Sequence, residues 1–89
     1  MKVAVYDTYA SAADGRTIHF DVLVPTTTSA DTAFEYAQEW LASVKLQDAE
    51  LKQSRCRFCH TEEANPQVAA DIARDGYHII QMEGCPERE

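Results

Sequence analysis

The sequence DGRTIHFDVLVP, residues 14–25, alternates apolar and polar side chains over most of its length. Four of its apolar residues fall on one face of an extended chain, Ile18, Phe20, Val22 and Val24, and they alternate with Thr17, His19, Asp21 and Leu23. This period of two is typical of a β-strand with one face on a core. The pair Asp14-Gly15 separates the stretch from an apolar segment before it, and such a pair indicates a hairpin because glycine adopts positive φ without strain. We therefore predict a hairpin of two strands, residues 2–10 and 16–24.

The length of the hairpin loop determines which side chains face each other across the two strands. A two-residue loop pairs Asp7 with Val22 and Thr8 with Asp21, whereas a three-residue loop places Asp7 opposite Asp21. Like charges that face each other in this way are destabilising. The sequence therefore favours the two-residue loop.

Two helices and two further strands are predicted after the hairpin. Residues 30–46 carry apolar side chains at helical spacing, with Ser29 as the N-cap. A strand over residues 53–62 is followed by a helix that begins after Asn65, and Gly76 suits the position just past its end. A last strand covers residues 77–83. The predicted fold is α+β in the order β-β-α-β-α-β, with a four-stranded, mostly antiparallel sheet and two helices.

Chain length and charge restrict the class of protein. The 89 residues suffice for one compact domain, which we place at residues 1–85 with a flexible tail at residues 86–89. With 8 basic and 15 acidic residues the net charge is −7, which disfavours binding to nucleic acid. No apolar run approaches the roughly 20 residues of a membrane span, so we expect no membrane partner.

The compartment and the oligomeric state are further expectations from the sequence. The first residues lack the pattern of a signal segment, and the 3 cysteines are an odd number. We therefore expect reduced thiols and a cytoplasmic location. An exposed edge strand would also suit a homodimer.

Several segments resemble one small bacterial family. They are VYDT (5–8), DGR (14–16), HFDVLVP (19–25), CRFCH (56–60) and MEGC (82–85). The chain is similar, from Met1 to about Cys85, to the family catalogued as domain of unknown function number two thousand and twenty-four. The resemblance implies a compact single-domain α/β protein and brings no assigned activity, substrate or cofactor.

The motif CRFCH, residues 56–60, is the first candidate for chemistry. Cys56, Cys59 and His60, together with Cys85, offer the thiolate and imidazole groups that zinc selects, so the sequence predicts a zinc site if the last strand lies beside the third. Against this, Cys56 and Cys59 point to opposite faces of a regular strand. Three alternatives stay open: covalent haem attachment, a thiol–disulfide redox pair, and cysteines that simply pack as small apolar residues.

A second candidate is a polar site on the hairpin. His19 and Asp21 share a strand face, and we expect Tyr6 and Thr8 beside them on the neighbouring strand. A carboxylate that orients an imidazole is half of a general-base arrangement. The alternative is a polar network on a half-covered sheet face.

Together these patterns predict a non-enzymatic binding or accessory module. The more specific version of this hypothesis is a module that binds zinc at Cys56, Cys59, His60 and Cys85. The competing hypothesis is a small thiol-redox protein or enzyme that uses Cys56 and Cys59, or His19 and Asp21. The ligand, the partner protein and the pathway stay open at this point.

Overall fold

A computed structural model describes residues 1–83 and has one four-stranded sheet with two helices. In chain order the elements are β1 (Lys2–Ser11), β2 (Thr17–Pro25), α1 (Ala30–Ser43), β3 (Cys56–Glu63), α2 (Pro66–Asp75) and β4 (His78–Glu83). The strand order is β3-β1-β2-β4, and each neighbouring pair is antiparallel. The predicted fold class is thereby confirmed. No helix in residues 1–83 is long and apolar enough to cross a membrane.

The two faces of the sheet are covered to different extents. Helix α1 packs on one of them, the α1 face, where the predicted apolar residues of β2 have no exposed surface: Ile18, Phe20, Val22 and Val24. The Phe20 and Trp40 rings lie 4.6 Å apart in this core. Helix α2 covers one end of the opposite face, the α2 face, where Val68 and Ile72 pack on side chains of β1 and β2. The other end of the α2 face carries polar side chains.

The hairpin loop has three residues, so the predicted two-residue loop is wrong. Ala12 pairs with Arg16 through a backbone hydrogen bond of 2.8 Å, and Gly15 takes a φ of +92°. A three-residue loop with glycine in this left-handed region is a common hairpin connection. Asp7 therefore lies opposite Asp21, despite the repulsion of like charges. The preference of the turn determines the register here.

The caps of both helices agree with the sequence, although α1 ends earlier than predicted. The Ser29 side chain accepts from the Thr32 amide at 3.1 Å, and Asn65 accepts from the Val68 amide at 2.8 Å. Helix α1 ends at Ser43 rather than at residue 46, because Lys45 takes a left-handed φ of 64° and closes the helix end. That position usually holds glycine, and a lysine there does not indicate a helix end.

Strand β3 is shorter than predicted and irregular. Residues Gln53–Arg55 form a single 3₁₀ turn instead of the start of the strand. Within β3, His60 pairs with Val5 and Phe58 pairs with Tyr6, which leaves Cys59 as an extra residue in a β-bulge. Because of this bulge, His60 lies on the α2 face whereas Phe58 lies on the α1 face. A regular strand would place both on one face, because its side chains alternate.

Strands β3 and β4 are at opposite edges of the sheet, separated by β1 and β2. The zinc hypothesis assumed that the last strand lies beside the third, and this assumption is wrong. Cys85 and the predicted tail at residues 86–89 lie outside the described residues.

Candidate functional site

Three ionisable side chains converge on the uncovered part of the α2 face. Asp7 on β1 lies opposite Asp21 on β2, and His19 is two residues before Asp21 on the same strand. The Nε2 atom of His19 is 2.5 Å from Oδ1 of Asp7. One ligand atom from each of the three side chains lies within 4.8 Å of the other two. We call this group the Asp7–His19–Asp21 cluster.

An aromatic stack holds the His19 ring. Tyr9 is the cross-strand partner of His19, and their rings are parallel to within 7° with centroids 4.1 Å apart. The Arg55 guanidinium lies 5.3 Å from the centroid of the same tyrosine ring, within the range of a cation–π contact. The imidazole side chain is only 16% exposed. The stack and the bond to Asp7 therefore fix the orientation of the ring.

The electrostatics of the cluster are dominated by two carboxylates in close proximity. Burial raises the pKa of Asp21 above its usual range, and the negative charge of Asp7 together with a hydrogen bond between the two carboxyls raises it further. His19 and His60 act in the opposite direction. A proton shared between the carboxyls relieves part of their repulsion. A bound cation would relieve it as well.

Asp7 was not among the residues that the sequence predicted for a site. It joins His19 and Asp21 only in the register of the three-residue loop. The signal was present in the sequence, because Gly15 in the third loop position favours this loop. In the folded chain this turn outweighs the cross-strand repulsion between Asp7 and Asp21.

Tyr6 and Thr8, which were expected beside His19 and Asp21, point to the opposite face. Tyr6 is buried in the core under α1, and the Thr8 hydroxyl lies 3.4 Å from Sγ of Cys56. A change of one residue in register turns every side chain of a strand to the other face. The placement of these two residues in the polar site is therefore wrong.

The described cysteines differ in their surroundings. Cys56 is buried, burial raises the pKa of its thiol, and Cys59 is exposed at the bulge of β3. His60 lies on the α2 face, 3.4 Å from a Glu62 carboxylate oxygen. Within residues 1–83, these three side chains do not form a group with ligand atoms as close as those of the Asp7–His19–Asp21 cluster. The zinc site that combines them with Cys85 stays a prediction.

A model of one protein family matches residues 1–82 of this chain, and the family is described as a domain of unknown function, DUF2024. The chain belongs to this family. The resemblance noted from the sequence is thereby confirmed.

A solved structure has the same fold. The NMR structure of protein NE1680 from Nitrosomonas europaea superposes with a TM-score of 0.84 and is 42% identical in sequence, over 97% of this chain and 100% of that one. No curated protein matches the chain. Membership of the DUF2024 family therefore establishes the fold and leaves the chemistry to the residues of the site.

The DUF2024 chain contains a second histidine–aspartate contact, which the sequence analysis missed. Nδ1 of His78 on β4 lies 2.5 Å from Oδ2 of Asp71 on α2. Arg74 contacts the other Asp71 oxygen at 3.0 Å and also pairs with Asp75. The hydrogen bond from His78 is the main reason that the pKa of Asp71 lies below its usual range. Residues 71 and 78 flank a helix end, and no periodic pattern indicates that they meet.

Proposed function

We propose that this DUF2024 chain is a binding module that holds a divalent metal ion at Asp7, His19 and Asp21. The observation that carries the proposal is the convergence of three ligand atoms within 4.8 Å of one another. All three residues belong to β1 and β2, which are paired from Val3 to Ser11 and from Thr17 to Pro25. Ligands on paired strands are held more rigidly than ligands on loops, and rigid placement favours tight binding.

The charge of the cluster favours a cation. Two carboxylates face each other, and the raised pKa of Asp21 means that the fold accommodates a proton there more readily than a second negative charge. A metal ion would take the place of this proton and interact with both oxygens at once. Metal binding would therefore release a proton from Asp21, as expected when a ligand must be deprotonated.

The donor set favours zinc among the common divalent ions. Imidazole nitrogen and carboxylate oxygen are both zinc ligands, whereas calcium and magnesium prefer oxygen alone. Three protein ligands also leave one coordination position open, the arrangement that zinc sites use to bind a further molecule. The Tyr9 ring, stacked at 4.1 Å on His19, would keep the imidazole aligned for the metal.

The experiment is a titration of the protein with Zn²⁺ and with Co²⁺, after purification without a metal-affinity step. We expect one ion per chain, and visible cobalt bands without the intense near-ultraviolet band of a thiolate ligand. Asp21→Asn and His19→Ala should each weaken zinc binding by at least about tenfold, because even outer partners of a ligand contribute that much. Asp71→Asn is the matched control, because it changes the other histidine–aspartate contact and should leave zinc affinity unchanged.

Three results would count against the proposal. Failure to bind either ion would remove it outright. A strong thiolate band that disappears in Cys59→Ser would place the metal at the cysteines and revive the predicted site at Cys56, Cys59, His60 and Cys85. Equal zinc loss in Asp21→Asn and Asp71→Asn would indicate a general effect on folding instead of a lost ligand.

A further inference from the structure

Strand β3 has one open side. It lies at an edge of the sheet, and among residues 1–83 its strand partner is β1 alone. Seven of its eight residues are exposed, and Phe58 among them is 57% exposed. The outward amide and carbonyl groups of an edge strand can pair with a further strand, although bulges and charged side chains usually discourage this. Strand β3 has both features, so their arrangement determines what the edge can do.

The bulge at Cys59 places two opposite charges on the same face of β3. Arg57 is the cross-strand partner of Asp7 and therefore lies on the α2 face. Glu62 is the partner of Val3, which is on the same face of β1, so Glu62 lies on the α2 face as well. In a strand without a bulge, residues five apart would point to opposite faces. Arg57 and Glu62 are therefore equally far from the centre of β3 and point the same way.

This arrangement matches an antiparallel second copy of β3, related to the first by a two-fold axis perpendicular to the sheet. If Cys59 lies opposite His60 of the second copy, the outer pairs all join residues of the same face, as a continuous sheet requires: Cys56 with Glu63, Arg57 with Glu62, and Phe58 with Thr61. A register shifted by one residue in either direction would pair residues of opposite faces.

Charge complementarity favours a second copy of this chain as the partner of the edge. Each Arg57 would lie opposite Glu62 of the other copy, and opposite charges in this position are stabilising. Among residues 1–83 no carboxylate lies within ion-pair distance of Arg57, although Asp7 is its cross-strand partner. The same register would cover part of the exposed Phe58 ring with Thr61 of the second copy. The edge is therefore complementary to itself on both faces.

We infer that two copies of the chain pair through β3, so that their two four-stranded sheets become one continuous sheet. The interface is symmetric, with the same strand contributed by each copy. Because the two-fold axis is perpendicular to the sheet, the two α2 faces lie on the same side of the dimer. Both Asp7–His19–Asp21 clusters would open on that side, each one strand away from the interface. Pairing of β3 does not require a bound metal.

The experiment measures the molar mass of the full chain by sedimentation equilibrium, from micromolar to millimolar concentration and without added metal. We expect a mass that rises to that of a dimer. Arg57→Glu and Glu62→Arg each replace two attractive cross-strand pairs by two repulsive ones, so each should raise the dissociation constant of the dimer at least about tenfold. The double variant exchanges the two charges and should return the constant to within about threefold of the wild type.

Two features of this set separate the interface from other effects. Lys45→Glu is the matched control, because it makes the same change of charge as Arg57→Glu at an exposed position beside the hairpin loop. Its dissociation constant should equal that of the wild type. Glu62→Arg guards against a folding defect, because its β1 partner is the uncharged Val3, whereas Arg57→Glu introduces repulsion with Asp7 in the same chain.

The register has its own measurement. In a mixture of isotope-labelled and unlabelled chains, filtered nuclear Overhauser spectra report only contacts between copies. We expect contacts from the Phe58 ring of one copy to the Thr61 methyl group of the other. A dimer without this contact would have another register or another interface, which would overturn the inference.

Three further outcomes would overturn it. The chain could stay monomeric at millimolar concentration. The dimer could be unaffected by Arg57→Glu and Glu62→Arg, or not restored by the double variant, which would place the interface elsewhere. Lys45→Glu could weaken the dimer as much as Arg57→Glu, which would reflect net charge. None of these results changes the proposal of a metal at the Asp7–His19–Asp21 cluster, because zinc binding is measured separately.

Discussion

The Asp7–His19–Asp21 cluster and the His78–Asp71 contact both contain a histidine that contacts an aspartate. In each, an imidazole nitrogen lies 2.5 Å from a carboxylate oxygen, and each histidine side chain is 16% exposed. The third neighbour differs. It is the carboxyl of Asp21 in the first region and the guanidinium of Arg74 in the second. A histidine–aspartate contact is therefore not informative by itself, and its neighbours determine its chemistry.

The consequence is visible in the carboxyl groups. The pKa of Asp71 lies below its usual range, mainly through the hydrogen bond from His78, with Arg74 and Gln67 adding to the effect. The pKa of Asp21 lies above its usual range, mainly through burial and then through Asp7. In the second region the Arg74 guanidinium offsets the charge of Asp71, and the histidine–aspartate contact links α2 to β4. The first retains an excess of negative charge, which a cation would neutralise.

The largest expected effect is on the pH dependence of zinc binding. Zinc must displace the proton that the raised pKa of Asp21 retains, so the ratio of wild-type to Asp21→Asn affinity should rise with pH by up to about tenfold per unit, then level off above that pKa. Calorimetry at several pH values gives this ratio. A ratio that does not change with pH would show that no proton leaves Asp21.

Each region also depends on a glycine with positive φ, and we expect their replacement to differ. Gly15 has a φ of +92°, and a Cβ added there would meet no other atom within 4 Å. Gly15→Ala should therefore cost roughly 1–2 kcal/mol of stability from backbone strain alone. Gly76→Ala has the same strain at +91°, and its Cβ would lie 2.6 Å from the Tyr36 hydroxyl oxygen. Urea unfolding should therefore find Gly76→Ala the less stable of the two. Equal losses would mean that Tyr36 moves aside freely.

The smallest effect is a pair of opposite pH profiles for stability. The proton on Asp21 stabilises the fold below the usual aspartate range near pH 4, and this contribution is lost as pH rises through the raised pKa. Asp21→Asn should therefore gain about 0.2–1 kcal/mol at pH 7 through removal of the cross-strand repulsion, and nothing in acid.

For Asp71 the pH dependence of stability has the opposite sign. Its lowered pKa means that the ionised carboxyl stabilises the fold at pH values above the usual aspartate pKa, and this contribution is lost as the pH falls through the lowered pKa. Asp71→Asn should reduce the melting temperature at pH 7, with a difference from wild type that shrinks toward acid. Melting curves of both variants from pH 3 to 7 test the pair. Two profiles of the same sign would contradict the comparison.

The elements of the fold were predictable because each has a local signal. The alternation of Ile18, Phe20 and Val22 indicated β2, and Ser29 and Asn65 marked both helix starts. The hairpin signal indicated that β1 pairs with β2, whereas the places of β3 and β4 in the sheet had no such signal. The sequence did not indicate that β4 joins β2 instead of β3, since this choice depends on how the helices cross the sheet.

The candidate site was predictable only in part. His19 and Asp21 were identified from their shared strand face, but Asp7 was not, and Tyr6 and Thr8 were placed on the wrong side. All three errors have one origin, the length of the hairpin loop. A pairwise repulsion of less than about 1 kcal/mol did not outweigh a favourable turn and a buried apolar face.

The bulge in β3 gives Cys59 a role that does not involve its sulfur. As the extra residue between Phe58 and His60, it changes which side of the sheet the rest of the strand presents. Replacement by serine keeps the bulge. Removal of the residue would make Phe58 and His60 direct neighbours in a regular ladder, and each would keep the face that it has now.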